Sequence, residues 1–294
     1  MRCTLNISGL GFRLESPVPL ELHPYYLPYV DESKDPDVII RILCEPPQLP
    51  AQSPVYTDGR LYVYATPAGW VREHRIWTPT EKSTDNPWLI PEADGSLSLR
   101  VPEERLSFLA AGSKFLWLLA PEAFLAAHRR MILHAASVVL DGKAYLFFGA
   151  SGVGKTTHAA QWTESLGAAP LTGDRTVLEW TEQGGFTAYG SPFCGSSGLC
   201  LQARAPLGGL CLLGQAAENR IRRLEPVRAF RELHAQTIFN TWDSEQCALL
   251  CDELTALIDA YPIFRLDCRL GPEGAALCAE TLCASVPVAD SLRP

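Results

Sequence analysis

Lysine is nearly missing from this chain: there are 5 in 294 residues, against 20 arginines, and the net charge is −8. That excludes a lysine-rich tail and a broad basic surface able to neutralise nucleic-acid phosphates, so no nucleic-acid partner is expected. No CxxC pair occurs among the ten cysteines, which are scattered over the whole length. A chain this long needs no stapling, and they read as reduced thiols of a cytoplasmic protein. Long apolar runs are also missing. The richest, "FLWLLAPEAFLAA", contains Pro121 and Glu122 and is too short to span a bilayer, so no membrane is expected. The opening "MRCTLNISGLGF" lacks the charged segment followed by about 7 to 15 apolar residues that a signal peptide carries. What is present is a globular mixture, 47% hydrophobic and 20% charged, enough for one large domain or two ordinary ones. It leaves room for a homo-oligomer.

Turn residues dominate the first 100 positions, where "ESPVPLELHPYYLPY", "CEPPQLPAQSP" and "TDGR" separate short apolar stretches such as "DVIIRIL" and "LYVYA". This predicts a β-rich region over 1–100. Helical spacing then takes over, with Leu106, Leu109, Ala110, Phe115, Leu116 and Leu119 three or four apart, and Pro121 opens a second short helix through Arg130. Residues 101–130 are therefore expected to bridge two domains. From 131 to 294 strands and helices alternate, as in an α/β domain with helices on a largely buried mixed sheet.

Inside that region lies "LFFGASGVGKTTHAAQW", with Gly149, Gly152 and Gly154 in six positions. Packing alone does not explain them, because glycine weakens strands and helices alike. "GASGVGKT" fits G-x-x-x-x-G-K-[ST], in which glycines turn backbone N–H groups toward a phosphate and the following helix presents its positive end to the same anion. The apolar "KAYLFF" before the loop and the helical "TTHAAQWTESL" after it supply the strand and helix the motif requires. The expected ligand is ATP with Mg²⁺, held by Gly149, Ala150, Ser151, Gly152, Val153, Gly154, Lys155, Thr156 and Thr157. Lys155 would reach the terminal phosphates and Thr156 would place its hydroxyl on the metal.

Two further residues gather around this loop. Asp141-Gly142 joins "ILHAASVVL" to "KAYLFFG" as a two-residue hairpin turn, and counting back along the ladder sets His134 opposite Gly149. A donor or cation there would help a transferring phosphate, although an isolated histidine is as easily a satisfied core residue. "GAAPLTGDRTVLEW" reads as a strand ending in Asp174, which would hold Mg²⁺ or accept the proton of an attacking hydroxyl, unless it is a turn-forming aspartate.

The set "LHAASVV…GASGVGKT…GDR" resembles the catalytic half of HPr kinase/phosphorylase and, more distantly, the nucleotide-binding domain of ATP-dependent phosphoenolpyruvate carboxykinase. The family has a histidine 21 residues before the loop lysine, the spacing of His134 and Lys155, followed by a pair of aspartates. Here the pair reads Gly173-Asp174, with one residue more in between, so Asp174 matches the second aspartate, the general base, and the first is missing. The signature resembling "LEIRGLG", which supplies a metal-binding Glu, is replaced by "YGSPFCGSSG". The likeness covers roughly residues 130 to 270 and its details are similar to bacterial HPr-kinase-like proteins. It implies a P-loop kinase fold and transfer of the γ-phosphoryl group to a serine or threonine-type hydroxyl of a small molecule, peptide or protein. A non-catalytic nucleotide-binding scaffold and an HPr-type regulatory kinase/phosphorylase are the alternatives.

"GSPFCGSSG" can form a second anion-holding turn or a lid, or be a plain connection, and Cys194 within it reads as a packed small residue. Among the arginines that can neutralise transferring charge, Arg175 comes first because it follows Asp174, ahead of Arg204, Arg220, Arg222 and Arg223. In "NTWDSEQC", Asp243 and Gln246 fit a helix-capping box.

Overall fold

A computed structural model describes residues 1–76, 85–181 and 185–285. Residues 286–294 of the expected nucleotide-binding domain lie outside the described residues. The chain divides into two compact units, Met1–Phe124 and Leu125–Pro294.

The first unit is built on β1 (Arg2–Ile7), β2 (Leu10–Glu15), β3 (Val38–Leu43), β4 (Tyr56–Thr57), β5 (Leu61–Thr66), β6 (Gly69–His74), β7 (Trp88–Pro91) and β8 (Leu97–Arg100). They form one sheet in the order β1-β2-β3-β8-β7-β6-β5-β4. Alternation fixes which side is inward: Val38, Ile40 and Ile42 are buried while Ile39, Arg41 and Leu43 are half-buried. A carboxylate also lies inside. Glu73 is fully buried and accepts hydrogen bonds from Tyr64 Oη at 2.9 Å and Asn86 Nδ2 at 3.2 Å. Arg75 Nε lies 2.9 Å from Glu73 Oε1 and supplies the opposite charge that a buried carboxylate requires.

The helical spacing over 106–119 does not give one helix. Helix α1 (Glu103–Ala110) stops early, Gly112 N–H closes a turn on the Leu109 carbonyl at 2.9 Å, and Phe115–Leu119 continues as a 3₁₀ turn. Glycine at 112 makes the straight helix costly, by about 1 kcal/mol. Helix α2 (Pro121–Ala127) likewise ends before Arg130, because Arg129 takes a left-handed φ of 58°.

The second unit contains β9 (Arg130–Leu133), β10 (Ala135–Leu140), β11 (Lys143–Phe148), α3 (Lys155–Leu166), β12 (Ala169–Thr172), β13 (Thr176–Trp180), β14 (Phe186–Tyr189), β15 (Arg204–Gln215), β16 (Arg220–Arg223), α4 (Pro226–His234), α5 (Ser244–Ala260), β17 (Ile263–Cys268) and α6 (Pro272–Ala284). The sheet runs β12-β10-β11-β15-β14-β13-β9, with β17 on β15 and β16 on β17. β11, β15 and β17 are parallel, and the other pairings are antiparallel. Both faces of β11 are covered, which is why "AYLFF" is continuously apolar. Ala144, Leu146 and Phe148 pack with Leu250, Leu254 and Leu257 of α5, while Tyr145 and Phe147 pack with Trp162 of α3 and Leu282 of α6.

The sheet has a seam. β9 pairs with β13, whereas β10 pairs with β11 and β12, so the chain crosses between half-sheets at His134. It crosses again between β12 and β13, at Gly173, Asp174 and Arg175.

Candidate active site

The hairpin at Asp141 and Gly142 has φ values of 50° and 75°, the left-handed pair of a type I′ turn. Leu140 consequently pairs with Lys143, and the ladder closes with Ala135 opposite Phe148. The ladder ends there, and the expected further pair, His134 with Gly149, is not part of it. The run read as one strand is interrupted at His134, whose N–H donates to the Gln236 carbonyl at 2.8 Å.

The second crossing meets the first by register. Thr176 pairs with Leu133, and its hydroxyl sits 3.0 Å from the Ala135 carbonyl and 2.9 Å from Ser137 Oγ. The residues just before Thr176 are thus delivered to His134. Nε2 of His134 lies 3.1 Å from Oδ1 of Asp174, and the guanidinium of Arg175 binds the other carboxylate oxygen. Burial raises the Asp174 carboxyl pKa, but the hydrogen bond from His134 and the charges of Arg175, His134 and Lys155 outweigh it and hold it below the ordinary range.

The glycine loop joins the end of β11 to α3. Gly149, Gly152 and Gly154 have φ of 140°, 78° and 103°. A side chain at Gly154 would also come within 2.8 Å of Leu270. Lys155 opens α3, is buried, and its Nζ donates to the carbonyls of Gly149 at 3.0 Å and Ala150 at 3.3 Å. Burial pushes its ammonium pKa down, partly offset by Asp174 and reinforced by Arg175. Thr156 donates its hydroxyl to the Gly173 carbonyl at 3.1 Å, which ties the helix to the residue before Asp174. Ala150, Ser151 and Val153 lie in the loop, and Thr157 in the first turn of α3 is exposed. Thr156 and Asp174 offer hard oxygen donors of the kind Mg²⁺ takes together with phosphates and water. Among the described residues no group of three or more His, Cys, Asp or Glu forms a protein-only metal cage.

The residues that follow "GSPFCGSSG", 199–201, pair along β12: Gly173 N–H donates to the Leu199 carbonyl at 3.1 Å, and Leu201 N–H to the Leu171 carbonyl at 3.3 Å. A Cβ on Gly195 would fall 2.7 Å from Asp174 Cβ and 2.8 Å from its Cγ, so the glycine lies directly on the carboxylate. A Cβ on Gly173 would fall 1.9 Å from Ser197 Oγ. The side-chain space of Gly173 is therefore filled from across the loop. The ten cysteines are not all thiols: Cys194 and Cys200, with Cα atoms 5.3 Å apart, form a disulfide, and the other eight are free. The separation of six residues closes because Gly195 and Gly198 adopt left-handed φ of 58° and 67°.

Of the other arginines, Arg204 lies on Tyr189 Oη at 3.4 Å and Arg222 on Asp267 at 2.9 Å, while Arg220 and Arg223 end β16. Asp243 caps α5 through Gln246 N–H at 3.0 Å. Sequence reasoning missed Gly195, Ser197, Leu270 and Gln215, whose amide reaches the Gly152 carbonyl at 3.4 Å. The glycine and serine density of 190–198 was the one available signal, and it marks the loop without marking the residues.

No family model and no curated protein sequence matches the chain. Among solved structures, the HPr(Ser) kinase/phosphatase of Coxiella burnetii is similar at a TM-score of 0.29 and 12% identity, over 51% of this chain and 92% of that one. A likeness of that size carries neither fold nor activity across. Among the described residues no helix is long and apolar enough to cross a membrane.

Proposed function

We propose that the second unit is an ATP- and Mg²⁺-dependent kinase that transfers the γ-phosphoryl group to a hydroxyl, of the serine or threonine type, on a small molecule, peptide or protein. The observation that carries this reading is the convergence of His134 and Asp174, 3.1 Å apart, beside a glycine loop whose Thr156 is bonded to the carbonyl preceding Asp174. A strand, an anion-turned loop and a helix N-terminus make a phosphate site, and a carboxylate held ionised beside it makes a proton acceptor.

Each residue then has a task. Backbone N–H groups of Gly149 to Thr156 hold the phosphates. Lys155 leaves its loop carbonyls to meet the terminal phosphates, and Arg175 adds positive charge at the same place. Asp174 takes the proton of the acceptor hydroxyl, and His134 fixes the direction in which the carboxylate points. Mg²⁺ would be held by Thr156 together with the nucleotide, with Asp174 as its ligand only if another group takes the proton, and would supply charge neutralisation for the transferring group. The eight free cysteines support a reducing, cytoplasmic setting, and the net charge of −8 supports a partner other than nucleic acid.

Replacing the lysine tests the nucleotide half. In Lys155→Ala, ATP affinity measured by calorimetry in Mg²⁺ should fall by at least about tenfold while the folded spectrum is kept, because the side chain bonds only to the loop carbonyls of Gly149 and Ala150. Unchanged affinity removes the assignment. Incubation of the wild type with labelled ATP and free serine, threonine, small alcohols and serine-containing peptides tests the transfer half; ATP binding without transfer to any of them or to water gives the scaffold reading its support.

A further inference from the structure

The disulfide lies where it touches the proposed chemistry. Between Cys194 and Cys200 the chain carries Gly195, pressed on Asp174, and Ser197, which fills the side-chain space of Gly173. Both oxygens of Asp174 are already engaged, by His134 and by Arg175. With Gly195 against the carboxylate as well, only 20% of the Asp174 side chain stays exposed, so the loop restricts the approach of an acceptor hydroxyl. Ser197 Oγ donates to the Cys194 carbonyl at 2.8 Å and accepts from Leu199 N–H at 3.3 Å, so the ring closed by the sulfur bond is also tied across its middle.

The pairing is selective. Cys211, Cys268 and Cys278 share one buried cluster behind the glycine loop, and Cys211 and Cys278 are close enough to hydrogen-bond, yet all three are free thiols. One pair in ten cysteines is oxidised, and it is the pair that encloses the cover of the site.

We propose that Cys194 and Cys200 are a reversible oxidation site: the disulfide holds residues 191–201 on Asp174, and the dithiol form lets them lift. The reductant is a dithiol of the cellular thiol pool. Cys200 is half-buried and Cys194 fully buried, so an incoming thiolate attacks the Cys200 sulfur and Cys194 departs as a thiolate that takes up a proton. The second thiol of the reductant then displaces Cys200 and the reductant leaves as its own disulfide. Two electrons and two protons reach the protein, and two thiols replace one sulfur–sulfur bond. The effect on transfer rests on the kinase reading; the oxidation site and the lifting of the loop do not.

Three measurements on the full chain test this. Alkylation after denaturation should modify eight cysteines in protein oxidised with glutathione disulfide and ten after reduction; ten in both overturns the site. Amide hydrogen exchange should then quicken by about tenfold or more on reduction at Gly173 and Leu201, whose N–H groups bond Leu199 and Leu171, and the Cys194→Ser/Cys200→Ser variant should exchange like the reduced chain. Equal exchange in both states overturns the lifting. Phosphoryl transfer should be at least about tenfold faster in the reduced form. Equal transfer in both forms overturns the gating, whereas faster exchange on reduction with no transfer in either state upholds the loop and sinks the kinase reading alone.

Discussion

Nε2 of His134 and Oδ1 of Asp174 lie 3.1 Å apart across 40 positions of sequence, each at a place where the chain crosses between half-sheets. The imidazole donates to one carboxylate oxygen and so fixes the direction in which the other lone pairs point. In His134→Ala the Asp174 carboxyl pKa should rise, because a hydrogen bond that lowers it is gone. The sign for stability follows. A depressed folded pKa contributes stability above the unfolded value near 3.9, and that contribution fades as pH falls through the folded value; the variant should lose part of it. Carboxyl carbon NMR reads the shift, and an unmoved Asp174 titration would show that the imidazole does not act on it. Transfer should slow by up to about 10²-fold through misdirection alone.

Asp174→Asn separates the base from the metal ligand. An amide keeps the shape but not the proton acceptor, so transfer should drop by roughly 10² to 10⁴ with nucleotide affinity nearly unchanged. If calorimetry instead shows that Mg²⁺-dependent ATP affinity collapses, Asp174 holds the ion and the proton goes elsewhere.

Placing an acid at 173 should fail by itself. In Gly173→Asp the new Cβ meets Ser197 Oγ at 1.9 Å, so the loop must shift, at a cost of about 1–3 kcal/mol. Combining it with Ser197→Gly should recover much of that loss, a coupling readable as a double-mutant cycle in urea. Additive losses would mean that the two side chains do not compete for one space.

His158 gives the second unit a titration that the site does not use. It is buried, accepts a hydrogen bond at Nε2 from Trp162 Nε1 at 3.2 Å, and has its pKa pushed down by burial to about 4. The folded chain therefore keeps it neutral where the unfolded chain, near 6.5, takes up a proton. Stability should decline as pH falls from about 6.5 to about 4, by up to about 1.4 kcal/mol per pH unit from this group. His158→Leu should flatten urea-derived stability over that window by comparison with wild type, and an identical slope would remove the histidine from the account.

What the sequence makes legible here is short-range. A two-residue turn at Asp141-Gly142 sets a register without help from the rest of the chain, and it carries Ala135 to Phe148, the residue before the glycine loop. The glycine pattern announces its own backbone, since few other residues adopt φ near 100°, as at Gly154. The break at His134 is different, because it exists only through strands 40 positions away that pair with β9 and not with β10. The disulfide escapes notice for a similar reason: scattered cysteines suggest thiols, and only the left-handed glycines at 195 and 198 bring two of them together. Periodicity also overreaches. Leucines at helical spacing over 106–119 run across Gly112, where the turn closes early.

Neither crossing point belongs to a ladder, so a side-chain substitution there changes the site while leaving the strand pairing alone. Gly173 and Ser197 do not vary independently, because they share one volume. A variant with an acid at 173 must shed the serine side chain at 197 as well, or carry a displaced loop. A second carboxylate at 173 thus calls for a paired exchange, and sterics favour one order of its two steps: the smaller residue at 197 first, so that no intermediate carries a displaced loop.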